Sequence, residues 1–171
     1  MKTILLSMVP TMLNDKSTAI REIFEEHGPE AVYITNTGFL SRDVYTLFPE
    51  NKNVFYMQGS MGLSPAIALG IAKNTDKDVI ALVGDGSLLM HLGVTHTIRD
   101  ENLPNLFVYV LDNGCHESVG SYPCSPLEAE YPGVTKIIKV KESVKNERVG
   151  ISFDDNAKLL KDFINGERNT P

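Results

Sequence analysis

A carboxylate at Asp85 and a carboxamide at Asn113 are the two side chains best placed by their sequence context to do chemistry. Each follows a continuous apolar run: Val79 to Val83 ahead of Gly84-Asp85-Gly86-Ser87, and Leu106 to Leu111 ahead of Asp112-Asn113-Gly114. An apolar run ending in a polar group is the pattern of a buried parallel strand opening into a loop. A helix-length segment separates the two runs, so the stretch reads as strand–helix–strand with oxygen donors at neighbouring strand ends. Oxygen ligands of low total charge suit Mg²⁺, which keeps some of its waters and also binds phosphates. Gly86 and Ser87 open the helix, where free N–H groups and the helix dipole favour a diphosphate. The residues alone therefore predict a metal–diphosphate site.

The elements that must hold this site alternate as in a mostly parallel α/β sheet flanked by helices. Residues 14–26 read as a helix capped by Asn14 or Ser17 and stopped by Gly28-Pro29. Strands are expected at 31–35, 54–57, 79–83 and 106–111. Helices are expected at 41–48, from Ser64-Pro65 through Ala72 with Ser64 as cap, and at 87–100. Residues 136–141 alternate like an exposed or edge strand, and 155–164 read as a last helix. The chain is expected to be a single domain over 1–171, with residues 1–13 an N-terminal segment and 121–135 an irregular loop.

Composition bounds the function. At 171 residues and 42% hydrophobic content the chain can bury one core, with no room for two large domains. A net charge of −6 with scattered Lys and Arg argues against a nucleic-acid partner. No apolar run approaches the ~20 residues of a membrane span, so no membrane is expected. Met1 to Val9 mimics the start of a signal peptide. It lacks a small-residue cleavage site and reads as an ordinary N-terminal segment. Only Cys115 and Cys124 are present, as in a reducing, cytoplasmic setting. With His116 they fit no closed zinc pattern, and two cysteines cannot hold a four-thiolate cluster. His91 and His96 stand about 140° apart around a helix and form no two-histidine metal face.

Gly84-Asp85-Gly86 followed by Asn113 resembles the signature of thiamine-diphosphate enzymes. Two more stretches, Gly59-Ser60-Met61-Gly62-Leu63-Ser64-Pro65 and Asn113-Gly114-Cys115-His116-Glu117-Ser118-Val119-Gly120, are similar to the phosphonopyruvate and sulfopyruvate decarboxylases. The resemblance runs from about Val32 to Gly120 and implies a thiamine-diphosphate-binding (PP-type) domain. It implies that Asp85 and Asn113 give side-chain oxygens to Mg²⁺ and Cys115 its backbone carbonyl. Gly84, Gly86 and Ser87, with Asn36 and Thr37 in the turn after the first strand, would meet the diphosphate. Gly59, Ser60 and Met61 would meet the organic half of the cofactor, Met61 as a wedge that bends it. His116 and Ser118 would face the cofactor phosphate or the substrate's anionic group.

The same resemblance implies a glutamate supplied by a second, pyrimidine-binding domain, for which this length leaves no space. The expectation is thus the diphosphate-binding, β-type subunit of a hetero-oligomeric decarboxylase. Its substrate would be a small anionic 2-oxo acid, 3-phosphonopyruvate or 3-sulfopyruvate, and its products an aldehyde and CO₂. Apolar surface near Met61 and Leu63 is expected to meet the α-type partner. The alternative is a non-catalytic module that kept the pocket and lost the chemistry. It draws on residues 121–135, which have three prolines where the family has a helical segment. A parallel connection normally needs a helical crossover, so the last strand is expected to be antiparallel or displaced.

Overall fold

Unbroken apolar runs along the central strands build a sheet covered on both faces. The computed structural model describes residues 13–166, so the signal-like stretch at Met1 to Val9 lies outside the described residues. The elements run α1 (Lys16–His27), β1 (Val32–Ile34), α2 (Phe39–Leu47), β2 (Val54–Phe55), α3 (Ser64–Ala72), β3 (Val79–Gly84), α4 (Asp85–Met90), α5 (Gly93–Glu101), β4 (Leu106–Asp112), β5 (Cys115–His116), β6 (Tyr122–Pro123), β7 (Lys136–Lys139) and α6 (Phe153–Asn165). Five strands form one sheet in the order β2-β1-β3-β4-β7, all parallel; β5 and β6 pair as a small antiparallel ribbon. Along β3, Ile80 and Leu82 enter the core shared with α1 and α2, and Val79, Ala81 and Val83 enter the core shared with α3 and α6. That two-sided burial is why the strands read as unbroken apolar runs. No helix among the described residues is long and apolar enough to cross a membrane.

Strand connections leave β1 in one direction and return to β3 on its other side. The switch point, where ligands sit in open α/β sheets, is therefore between the C-terminal ends of β1 and β3.

Several local expectations are corrected. Asp15, not Asn14 or Ser17, precedes α1, because the Asn14 backbone pairs beside the sheet edge: its N–H donates to Lys139 and its carbonyl accepts from Lys141. Ser64 is the first residue of α3 rather than its cap, and its hydroxyl donates to the Leu82 carbonyl at 3.1 Å. The single helix expected at 87–100 is two helices, broken at His91-Leu92, where the glycine turn lodges against the end of α4. A Cβ on Gly62 (φ +86°) would stand 2.5 Å from the Ser87 carbonyl oxygen and the His91 ring, so only glycine fits.

The last strand is parallel, not antiparallel or displaced: Val110 lies beside Ile137 and Leu111 beside Ile138. No helix fills the crossover. The segment after β6 packs Leu127, Tyr131 and Val134 onto the core beside α5 instead. Gly133 (φ +71°) sits so close that a Cβ would be 2.5 Å from the Thr95 carbonyl oxygen. Apolar burial and close approach thus replace the missing helix.

At the opposite edge, α6 closes the sheet through Asn156. Its Oδ1 accepts from the Tyr56 N–H at 2.8 Å and its Nδ2 donates to the Val54 carbonyl at 2.7 Å, wholly buried. Asn156→Ala orphans both backbone groups. It is expected to lower stability by about 2–3 kcal/mol in urea unfolding; a loss within experimental error would show that the edge does not need this helix.

Candidate functional site

Three turns meet at the switch point and surround an open cleft of about 630 Å³, counting the part continuous with solvent. The turn after β1 brings Asn36 and Thr37, the β3–α4 junction brings Gly84 to Ser87, and the loop after β4 brings Asn113 to Ser118. Met61 reaches the cleft from the glycine turn. Every predicted site residue lines it except Gly59 and Ser60, which stand exposed at the rim.

Asn36 ties the turns together. It is 4% exposed, and its Nδ2 donates to Ser87 Oγ at 2.7 Å and to the Thr37 carbonyl at 3.2 Å. Its Oδ1 accepts from the Gly62 N–H at 3.2 Å. Both amide hydrogens are bonded within the protein, so Asn36 braces the turns at the place where it lines the cleft. Ser87, which accepts from Asn36, keeps its own hydroxyl hydrogen to offer to the cleft.

Asp85 is 4% exposed and accepts from the Gly114 N–H at 3.0 Å. Gly114 also donates to Asp112 Oδ1 at 3.1 Å, so two carboxylates converge on one donor. Burial pushes the Asp85 carboxyl above its ordinary 3.8, and the Asp112 charge adds to the rise; N–H groups of Gly86 and Gly114 and the Cys124 thiol oppose it. Asp112 is paired with Lys139, whereas Asp85 has no cationic partner among the described residues. A carboxylate desolvated without a counter-charge is suited to a cation. Among the described residues no three His, Cys, Asp or Glu side chains are grouped to hold a metal. A cation at Asp85 would therefore draw on amide and carbonyl oxygens, the chemistry of Asn113 and the Cys115 backbone.

Asn113 Oδ1 accepts from the Cys115 N–H at 3.2 Å, which shapes the turn. Burial, with Glu142 and Glu117 nearby, pushes the Cys115 thiol up to about 11, so it stays protonated near neutrality. The Cys124 thiol lies instead beside Asp85, and both cysteines are free. Gly86 is required where the loop folds back: a Cβ there would stand 2.3 Å from the His116 ring.

One cluster escaped the sequence reading. Lys16, 5% exposed in α1, is hydrogen-bonded to Glu117, lies 3.5 Å from Asp43 and donates to Ser143 Oγ at 3.0 Å. Ser143 and Asn146 donate to Asp43 at 2.9 and 2.8 Å. Glu117 falls inside a quoted motif, but nothing in the sequence around Lys16 signals burial. Met61 and Leu63 are half-buried rather than exposed; the large apolar side chains exposed on this loop and on α4 are Val119, Tyr122 and Met90.

The sequence profile of the thiamine pyrophosphate enzyme C-terminal TPP binding domain matches residues 34–160. The chain is 39% identical over 102 residues to sulfopyruvate decarboxylase subunit beta of Methanocaldococcus jannaschii, covering 60% of this chain and 54% of that one. It is 36% identical over 133 residues to the subunit beta of Methanothermobacter thermautotrophicus, covering 78% and 68%. Phosphonopyruvate decarboxylase of Streptomyces hygroscopicus is 36% identical over 116 residues, 68% of this chain and 29% of that protein. The chain thus spans about half the first relative and under a third of the Streptomyces protein. Among solved structures, a Mycobacterium smegmatis protein classed as a thiamin diphosphate-dependent enzyme superimposes with a TM-score of 0.53 at 24% identity. It covers 67% of this chain and 24% of that one, and shows the shared fold.

Asn36→Ala leaves the Gly62 N–H without its acceptor and frees Ser87. Thermal and urea unfolding should show a loss of about 2 kcal/mol. Wild-type stability would mean that the three turns hold together without it.

Proposed function

The chain belongs to the thiamine pyrophosphate enzymes as a C-terminal TPP-binding domain, and from that premise we propose that it is the β-type subunit of a Mg²⁺-dependent decarboxylase of 3-sulfopyruvate or 3-phosphonopyruvate. The observation that carries the reading is Asp85: a buried carboxylate with no cationic side chain paired to it among the described residues, at the switch point, lining one cleft with Asn113 and Ser87. The reading treats residues 1–171 as one thiamine-diphosphate-binding domain. The free thiols of Cys115 and Cys124 support a cytoplasmic setting.

Asp85, Asn113 and the Cys115 carbonyl would hold Mg²⁺; Gly84, Gly86, Ser87 and Thr37 would hold the diphosphate. When bound, thiamine diphosphate supplies the electron sink that takes up the pair left as CO₂ departs from a 2-oxo acid. Gly59, Ser60 and Met61 would face its organic half, with Met61 bending it from the rim. Ser87 Oγ keeps a hydrogen for the diphosphate, and Gly86 lets the backbone come close because no Cβ intervenes. His116, resting on Gly86, and Ser118 face the same cleft and would donate to anionic oxygens. The residues fit the cofactor.

A partner is part of the reading. Glu117, the glutamate lining the cleft, is bound to Lys16 and to the Ser143 N–H. A free carboxyl for the cofactor's pyrimidine must come from elsewhere, and an α-type subunit with a pyrimidine-binding domain would bring it over the exposed Gly59-Ser60 rim. Relatives named as beta subunits support a hetero-oligomer. The non-catalytic alternative drew on residues 121–135, and it loses support because β7 completes the parallel sheet despite the missing helix.

Two tests follow. The folded pKa of Asp85 lies above its unfolded value, so ionisation weakens folding as pH rises from 3.8 through the raised value. Asp85→Asn should therefore keep or raise the thermal midpoint of the cofactor-free chain at neutral pH while abolishing Mg²⁺-dependent cofactor binding. Unchanged cofactor affinity by calorimetry would remove Asp85 from the metal site. The isolated chain should release no CO₂ from either substrate, and adding an α-type subunit should restore turnover. In that complex Met61→Ala should lower turnover more than cofactor affinity, because bending brings reacting groups together; a deficit repaired wholly by excess cofactor would refute the wedge.

A further inference from the structure

A second cleft of about 640 Å³, counting its open part, adjoins the first. Thr37 lines both, so the two are neighbours across one residue. Thr37, Gly38, Ser41 and Arg42 form one wall, and Gln58 and Arg148 approach from the end of β2 and the segment before α6. Neither Arg42 nor Arg148 is paired with a carboxylate among the described residues, although the chain carries a net charge of −6. Lys16 in the first cleft cannot take their place, because Asp43 and Glu117 already hold it.

The Arg42 guanidinium is held over a ring, and the backbone on either side of the exposed Arg148 is anchored. The Arg42 guanidinium lies 5.2 Å from the centre of the Phe39 ring, and Phe39 itself lines the first cleft. Arg148 stands between two anchors. Asn146 donates to Asp43 at 2.8 Å on one side; on the other, Val149 and Ile151 pack against the core, and Gln58 Nε2 donates to the Ile151 carbonyl at 2.9 Å. A guanidinium stays charged at any ordinary pH and presents a planar fork that matches tetrahedral oxyanions in pairs of hydrogen bonds. Two such forks on one small cleft define a site for a single tetrahedral anion.

We propose that this cleft is the subsite for the sulfonate or phosphonate head of the 2-oxo acid, with Arg42 and Arg148 as the residues that read it. The proposal rests on the decarboxylase reading, since that reading supplies a substrate with an anionic head at one end and a reacting carbonyl at the other. Pyruvate has no such head, so this subsite would separate the two classes of substrate.

Direct titration of methylphosphonate and of sulfate into the chain, with and without saturating thiamine diphosphate and Mg²⁺, tests it by chemical-shift mapping. Both probes should bind with cofactor present, and Arg42→Met or Arg148→Met should each weaken binding about tenfold. Arg42→Lys, which keeps the charge and loses the fork, should fall between, with thermal unfolding and cofactor affinity unchanged. Probe binding indifferent to both arginines, or probes that only displace the cofactor, would overturn the subsite. In the reconstituted complex the double variant should raise KM for 3-sulfopyruvate or 3-phosphonopyruvate about 100-fold while KM for pyruvate stays fixed. Turnover with an unchanged KM overturns the subsite alone. A complex without turnover, but with arginine-dependent anion binding, removes the decarboxylase reading and the substrate assignment with it.

Discussion

A buried carboxamide is costly to leave unmatched, and Asn36 matches both its hydrogens and its oxygen only when three separate turns are brought together. Its oxygen accepts from Gly62, and its amide group donates to Ser87 and Thr37. An unmatched polar atom at such depth would cost about 1–3 kcal/mol, so the arrangement is nearly all-or-none. Gly62 can make its contact only with a positive φ and no Cβ, because the Ser87 carbonyl and His91 fill that space. The same close approach breaks the helix after β3 into two. The cleft is what remains between turns fixed in this way.

Charge is matched just as closely, with one exception. Asp43 and Glu117 share Lys16, and Asp112 has Lys139. Burying charges this way is costly, and losing one partner leaves the other desolvated. The fold pairs these neighbouring acids with lysines and leaves Asp85 alone without a cationic partner among the described residues. Burial and the Asp112 charge push the Asp85 carboxyl up, and burial also pushes up that of Asp43 in spite of Lys16. The Lys16 cluster serves the same site indirectly. It binds α1, α2, the loop after β4 and the segment around Ser143 into one wall behind the cleft.

The C-terminal third shows how packing can replace a regular element. A parallel strand needs its chain carried back across the sheet, usually by a helix. Here Leu127, Tyr131 and Val134 bury apolar surface beside α5, and Gly133 lets the backbone lie against that helix. The sheet gains β7 in parallel register, and Asn14 extends its edge. The opposite edge is covered by α6, whose Asn156 substitutes for a missing strand neighbour.

The sequence by itself determined the α/β class, the core strands, and the two polar residues at the ends of β3 and β4. Strands buried on both faces cannot hide their apolar composition, and a carboxylate after such a run has few structural reasons to be there. The glycines at 62 and 86 stood out in their motifs, but the protein groups that crowd them, Ser87, His91 and His116, came only from the fold. Tertiary structure alone decided what depends on distant partners. Nothing local distinguishes Lys16 from a solvated lysine, or reveals that Asn36 braces the turns as well as lining the cleft. The direction of β7 and the break between α4 and α5 follow from surfaces supplied by residues far away in the chain. That Arg42 and Arg148 line one cleft likewise requires the segment before α6 to fold back beside α2. Periodicity reports which face of an element is buried; it carries no information about which other element lies against that face.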